Sequence, residues 1–414
     1  MRRLAWLLLL ASAWAQAEQG PPTIREIVFE GNETTRPRTM LREMVISPGD
    51  PADPERVERS RQAVQDLGLF KEVSVREEPV DGGVRLVFRV RERWYILPTP
   101  RVDAKAGGEY SYGAQLQWNN LWGLDHTLRM VWEREDNKEA GVGLETNHSF
   151  AYNAPQVFDS PYSLGISAGQ IRRPIELPGG GSYQETLQNV GVGVVRSLSD
   201  GPPSQGWSIG GGLGWLGQDT EGVGAPARYG NATAPFATLA YRDLHLNIYS
   251  EEGVSFRTSL QGAVNGVASD YGFTTWSGRY ARYWRVGETD HQTLHFFSDL
   301  GLRVDGPPEN DAFYLGGDFL LRGYDKEFVE GDAYWRLAGE FARPLHWRWL
   351  RWVVIAEAGN AYPEPQDFSL GRIYGSLGLA LRVRLSWFVN VEIEAGVAMP
   401  VGDDGGARFF AGRV

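Results

Sequence analysis

Few side chains in this sequence have the types and spacings that catalysis needs. Gly212-Leu-Gly-Trp-Leu-Gly217 has the spacing of a dinucleotide-binding turn, but that turn cradles a pyrophosphate only where a helix follows it. Here the glycines lie in an alternating, glycine-rich strand pattern with no helical pattern after it, which reads as close packing in a wall. The histidines at 126, 148, 245, 291, 295 and 346 are scattered. His291 and His295 have a helical metal spacing, yet on a strand they would point the same way at long distance. The chain has 0 cysteines, which excludes disulfides, thiolate metal sites and a cysteine nucleophile. With no nucleophile elbow, acid–base pair or phosphate loop, the expected action is physical: no enzyme, no cofactor, no metal.

The residues that do stand out are in Leu315-Gly-Gly-Asp-Phe-Leu-Leu-Arg-Gly-Tyr-Asp325, a long insertion between strand-like segments. Gly316, Gly317 and Gly323 permit backbone angles closed to other residues. Phe313, Tyr314, Phe319, Leu320, Leu321 and Tyr324 are too apolar for a loop that only meets water, so the loop is expected to fold back onto something. Arg322 is then an enclosed guanidinium and needs carboxylates. Alternation supplies two candidates. Glu340 shares a face with Arg336 and Ala338, opposite Trp335, Leu337 and Phe341. Val354, Ala356 and Ala358 form an oily face that turns Glu357 the other way. A loop motif of Arg322, Gly323, Tyr324 and Asp325 is thus expected to meet Glu340 and Glu357.

The elements that must position these residues follow from patterning. Arg2 and Arg3, an apolar run from Leu4 to Leu10, and small-x-small sites near Ala15 read as a secretory signal peptide over 1–17; the run is too short to span a bilayer. Residues 23–95 read strand, helix, helix, strand, strand. The first helix has Pro37 near its start and carries Met40, Leu41, Met44 and Val45; the second runs from about Asp53 to Leu67 with Gly68 as its stop. From residue 100 to 414, about sixteen segments alternate with period two. Val254, Phe256, Thr258 and Leu260 oppose Ser255, Arg257, Ser259 and Gln261, and Leu377, Leu379 and Leu381 oppose Arg382 and Arg384. A soluble β-sandwich alternates too. The export signal, 15 tryptophans and 12% aromatic content instead favour an antiparallel transmembrane β-barrel with interfacial aromatic belts. A net charge of -11 and pI near 5.2, with no basic stripe, exclude a nucleic-acid partner.

These stretches resemble a known family. "IREIVFEGNETT", "PGD", "LGLFKEVSV" and "VRLVFRVRER" resemble a polypeptide-transport-associated (POTRA) domain. "GGDFLLRGYD", "GEFARPL" at 339–345 and "IAEAGNAY" at 355–362 resemble the sixth-loop, twelfth-strand and thirteenth-strand patterns of the BamA/TamA superfamily of bacterial surface-antigen barrels. Glu357 stands where an aspartate is commoner. There is one POTRA-like domain where the main insertases have several, and the chain ends in Val rather than an aromatic residue. The resemblance implies a bacterial outer-membrane protein with its POTRA-like domain in the periplasm. Its implied partners are unfolded or partly folded outer-membrane or secreted polypeptides, the lipid bilayer, and periplasmic proteins.

The function expected from this is assembly. Polypeptide is captured by β-augmentation along Phe70 to Arg76, with Phe70, Val73 and Val75 on the binding edge, and then inserted through a barrel seam. The first strand, with Val102, Ala104 and Ala106 on its lipid face, and a last strand rich in Gly405, Gly406 and Gly412 give few contacts to that seam. Two alternatives remain open at this level: a translocator that secretes a partner through the lumen, and a passive pore or structural barrel.

Overall fold

The computed structural model describes residues 20–104, 110–137, 143–177, 180–225, 230–306, 313–317, 319–369, 371–402 and 405–413. The expected signal segment, Ala106, and the side chains at 102 and 104 lie outside the described residues.

The N-terminal module is a three-stranded sheet with two helices. β1 (Ile24–Glu30) pairs in parallel with β3 (Gly83–Glu92), which pairs antiparallel with β2 (Phe70–Val80). The order β1-β3-β2 leaves β2 at an edge. α1 covers only Pro37–Leu41, and α2 runs Pro54–Asp66, its start capped by the Asp53 carboxylate on the Arg56 N–H. The first helix is shorter than its apolar spacing suggests. Leu41 is exposed, and the chain leaves the helix in time to place the Glu43 carboxylate against the barrel. Ile24, Met40, Val57, Val64, Phe70, Val73, Leu86 and Phe88 form the module's core.

The second unit is a sixteen-stranded antiparallel sheet, the wall of a β-barrel. Its strands are β4 (Ile96–Ala104), β5 (Tyr110–Leu121), β6 (His126–Asn137), β7 (Gly143–Ala154), β8 (Tyr162–Glu176), β9 (Ser182–Ser197), β10 (Gly206–Glu221) and β11 (Gly230–Leu246). They continue as β12 (Glu251–Ala263), β13 (Phe273–Arg285), β14 (Thr293–Asp305), β17 (Ala333–Pro344), β18 (Leu350–Tyr362), β19 (Tyr374–Arg384), β20 (Glu392–Val401) and β21 (Arg408–Arg413). Between β14 and β17 the inserted loop carries its own small hairpin, β15 (Phe313–Leu315) with β16 (Val329–Gly331). β4 and β21 are the two ends of the large sheet, with no register pairing them among the described residues.

Burial is reversed from that of a soluble sandwich. Leu377, Leu379 and Leu381 of β19 are each at least 50% exposed, while Arg382 and Arg384 on the opposite face are 1% and 4% exposed. Oily side chains face outward and charges inward, as a bilayer requires. The first barrel strand begins earlier than its prolines suggest: Pro98 and Pro100 lie within β4, opposite Leu116 and Ala114. An edge strand tolerates proline because the missing N–H need not belong to the paired side. Trp335, expected on the lipid face, is 7% exposed; its indole N–H donates to the Tyr362 hydroxyl at 3.2 Å, and that ring covers it.

The module is seated against the barrel's near-end turns. The Gly123 carbonyl, between β5 and β6, accepts from the Arg36 N–H at 3.0 Å and the Thr39 hydroxyl at 2.7 Å. Glu43 accepts from the Gln156 amide at 3.0 Å and the Ser204 N–H at 3.2 Å. Asp66 accepts from the Leu246 N–H at 2.7 Å and lies 2.8 Å from His245 Nδ1. The Trp94 N–H donates to the Trp387 carbonyl, and Val389, from the turn before β20, enters the module's core. The module therefore reaches across the barrel's end, and that end lies on the module's side of the membrane.

Candidate functional site

The loop from Gly316 to Phe328 turns into the lumen. Its backbone makes this turn through residues in the left-handed region: Gly316 (φ 115°), Gly317 (φ 111°), Leu321 (φ 64°) and Gly323 (φ 100°). At Gly323 the reason is also spatial. A Cβ there would come within 3.0 Å of the Met399 backbone, so only glycine permits so close an approach to β20. Leu321 is fully buried, and Tyr324 packs on Phe328 and Tyr374 while its hydroxyl donates to the Gly375 carbonyl at 3.1 Å.

Between these anchors Arg322, 2% exposed, meets three carboxylates. Its Nη1 donates to Glu357 Oε1 at 3.0 Å and its Nη2 to Glu340 Oε1 at 3.2 Å; Glu394 Oε1 lies 3.3 Å from Nη2. The backbone N–H of Arg322 donates to the second oxygen of Glu357 at 2.6 Å. The rings of Phe319 and Phe410 each lie 5.4 Å from the guanidinium carbon, within cation–π range. The cluster continues along the wall. Arg336 bridges Asp299 at 2.8 Å and Glu357 at 2.6 Å, and Arg382 bridges Glu340 at 2.7 Å and Glu394. Each carboxylate thus faces guanidinium groups from more than one element. That matching lets the charges stay buried.

Alternation alone identifies the inward faces of Glu340 and Glu357 but misses Glu394 and Arg382 as members of this cluster. Both lie on inward faces in the sequence pattern; their height in the wall, which decides what they meet, depends on register. Asp325 is exposed at the loop's edge and pairs with Arg408 of β21. The loop therefore touches the last strand through Asp325 with Arg408, Arg322 with Phe410, and Phe319 beside Gly412.

Phe70, Val73 and Val75 lie at the module's free edge, but their side chains point into its core, with Phe70 at 0% and Val73 at 5% exposure. What the edge offers outward is backbone. The Val73 carbonyl accepts from Arg61 Nη1 of α2 at 3.1 Å, which shows that the peptide groups of Val73, and by alternation Val75, Glu77 and Pro79, face away from β3. Pro79 has no N–H to lose there. Arg61 occupies one outward carbonyl and leaves the stretch beyond it open.

Two cavities lie in the lumen, neither lined by the carboxylates that meet Arg322. One, of about 770 Å³, is bounded by Asp125, Ser167, Gly193, Phe236, Arg242 and Arg257 among others. A second, of about 670 Å³, lies further from the module between Arg173, Gln218, Gln261 and Lys326. Asp125, in the turn before β6, is 4.0 Å from Arg42 of the module, and burial pushes its carboxyl up to about 7 against the pull of Arg42. Among the described residues no group of three or more His, Cys, Asp or Glu could hold a metal ion.

A barrel whose charged lumen face receives an inserted loop, fronted by one small α+β module, defines a class of membrane protein built from a periplasmic-type module and a transmembrane wall. Residues 22–93 match the POTRA domain, described as a surface antigen variable number repeat, and residues 120–410 match the Omp85 superfamily domain; the chain belongs to the Omp85 superfamily. Over 153 residues it is 31% identical to the outer membrane protein assembly factor BamA of Neorickettsia risticii (strain Illinois), a match covering 35% of this chain and 19% of that protein. Similar solved folds include BamA from Haemophilus ducreyi lacking POTRA domains 1-3, with TM-score 0.54, 17% identity, and coverage of 94% of this chain and 82% of that one. They also include CdiB from Acinetobacter baumannii (TM-score 0.61, 15% identity, coverage 95% and 73%) and CdiB from Escherichia coli (0.63, 14%, coverage 94% and 75%). At these identities the likeness is one of fold.

Proposed function

We propose that this protein resides in the outer membrane, with its module in the periplasm, and assembles other polypeptides there. An extended client segment pairs with the free edge of β2 and then with the seam between β4 and β21. At the seam, strand edges of the barrel replace the water that the client's N–H and C=O groups lose on entering hydrocarbon. No covalent step, cofactor or metal takes part. The observation that carries this reading is the sheet's two ends, β4 and β21, which no register pairs among the described residues, fronted by a module with an open edge of its own. The assembly activity named for the Neorickettsia risticii relative supports it.

The chain has 0 cysteines, so an engineered pair is unambiguous. Cysteines placed across β4 and β21 and oxidised to lock the seam should stop client barrels from inserting into liposomes, and reductant should restore insertion. Equal insertion by the oxidised and reduced forms would rule out seam opening. Val75→Pro removes an outward N–H without touching the β3 register, so client crosslinking to the module should be lost while the barrel stays folded; persistent crosslinking would move capture elsewhere.

The lumen cavities favour a second reading, passage of a secreted polypeptide through the barrel. In that case the seam lock leaves transport intact, and depletion removes one secreted partner rather than many barrels. A passive pore is disfavoured by the module seated on the near-end turns; it predicts altered small-solute permeability and nothing else.

A further inference from the structure

The β7–β12 wall presents an unusual interior. Gly165, Gly191, Gly193 and Gly212 leave the lumen face without side chains, and the Phe236 ring lies flat across the bare patch: a Cβ at Gly193 or Gly212 would come within 2.7 or 2.5 Å of that ring. The space this leaves is the cavity of about 770 Å³ above the module. Two guanidinium groups enter it. Ala240 is the register partner of Arg257, so Arg242, two residues on in β11, is its diagonal neighbour on the same face.

These two arginines differ from those of the loop cluster. Among the described residues, no carboxylate lies within 4.0 Å of either; the buried Nε of Arg242 has no hydrogen-bond partner, as is also true of Arg322 and Arg336. Asp125, which also lines the cavity, lies 4.0 Å from Arg42 of the module and feels the charge of Arg242 from beyond ion-pair distance. Across the next register, Arg257 faces Arg279, whose close carboxylate among the described residues, Asp299 at 3.5 Å, also serves Arg336. Like charges set opposite one another in a sheet repel. An anion held by Arg257 on its cavity side would relieve that repulsion, and the forked guanidinium matches the two oxygens of an oxyanion. Hydroxyls of Thr127, Ser167 and Thr238 line the same space and can donate as well.

We infer that this cavity is an oxyanion-binding chamber, in which Arg242 and Arg257 hold a phosphate or a carboxylate group inside the barrel. It does not depend on the assembly reading, since a chain locked at its seam keeps the chamber intact. The test is isothermal titration of the full chain in detergent with inorganic phosphate, chloride making up constant ionic strength. The wild type should show one saturable site. Arg242→Gln with Arg257→Gln should weaken it by about tenfold or more, the scale of losing charged hydrogen bonds. Arg242→Lys with Arg257→Lys, which keeps the charge and loses the fork, should fall between.

The glutamine pair also separates binding from structure. Because no ion pair is lost, its unfolding temperature in phosphate-free buffer should equal or exceed that of the wild type. A large fall, or no saturable phosphate binding by the wild type, overturns the inference. A capped hexaglutamate peptide then identifies the source: competition with phosphate points to side-chain carboxylates of a polypeptide, and no competition points to a free oxyanion.

Discussion

The two walls of the barrel obey the same alternation and fill their inner faces in opposite ways. Along β14 and β17–β20 the lumen side carries Asp299, Arg336, Glu340, Glu357, Arg382 and Glu394, nearly all buried and matched charge to charge by a loop that brings Arg322. Along β7–β11 it carries mostly glycine, alanine, serine and asparagine around open space, with Arg242 as a charged exception. The outer faces hardly differ, because lipid imposes one requirement on both. Inside, each wall suits what stands before it. Charges buried behind a docked loop must be neutralised in place, whereas a wall facing a cavity keeps few charges, Arg242 among them, and gains room from its glycines.

This contrast can be broken most directly at Arg322. Arg322→Ala leaves Glu340, Glu357 and Glu394 short of a shared partner in a site only 0–4% exposed at the side chains; the cost should be about 3–5 kcal/mol. It should be read as a lower unfolding temperature and new protease cleavage near Tyr324, and an unchanged protein on both counts would refute the matched-charge account. Glu357→Gln should cost less, roughly 1–3 kcal/mol, since Arg322 keeps Glu340 and Glu394 and Arg336 keeps Asp299. On the hollow wall, Ser167→Ala should change stability by no more than about 0.5 kcal/mol; a loss comparable to that of Arg322 would mean the two walls are not different in kind.

The smallest effect is expected where charges pair in water. Arg76 of the module bonds Glu30 at 2.8 Å, and that hydrogen bond holds the Glu30 carboxyl below its usual range. A carboxyl depressed in the folded state contributes stability above its unfolded range and loses it as pH falls through the folded value. Both groups are well exposed, so Arg76→Ala should leave the unfolding temperature at neutral pH nearly unmoved and remove a slight acid-side dependence that high salt also erases. A clear drop at neutral pH would count against exposure as the deciding variable.

How much of this is legible in the sequence depends on which physical constraint wrote it. Lipid on one side of every strand enforces a period of two over the whole second unit, so the sixteen strands and the faces of Glu340 and Glu357 can be read from residue order. The loop is legible because glycines and aromatics are concentrated where a strand pattern stops. Height is not legible. Arg382 and Glu394 have recognisable faces, but only the register of β19 and β20 brings them level with Arg322. Docking is equally silent in residue order. Glu43 and Asp66 read as ordinary helical-region acids, and only the seating of the module gives them barrel backbone to accept from. The hollow of the β7–β12 wall was visible only as glycine richness, which by itself reads as close packing.

The loop's grip on Arg408, Phe410 and the Gly412 position has a consequence for the order of synthesis. All three carboxylates that meet Arg322 lie later in the chain than the loop, on β17, β18 and β20. Until they arrive, the loop lacks Glu340, Glu357 and Glu394, and the last strand lacks its inner support. A barrel without β20 and β21 would lack Glu394 and the last strand that the loop touches. Full matching of the Arg322 charge therefore draws on strands that follow the loop, including one of the last in the chain.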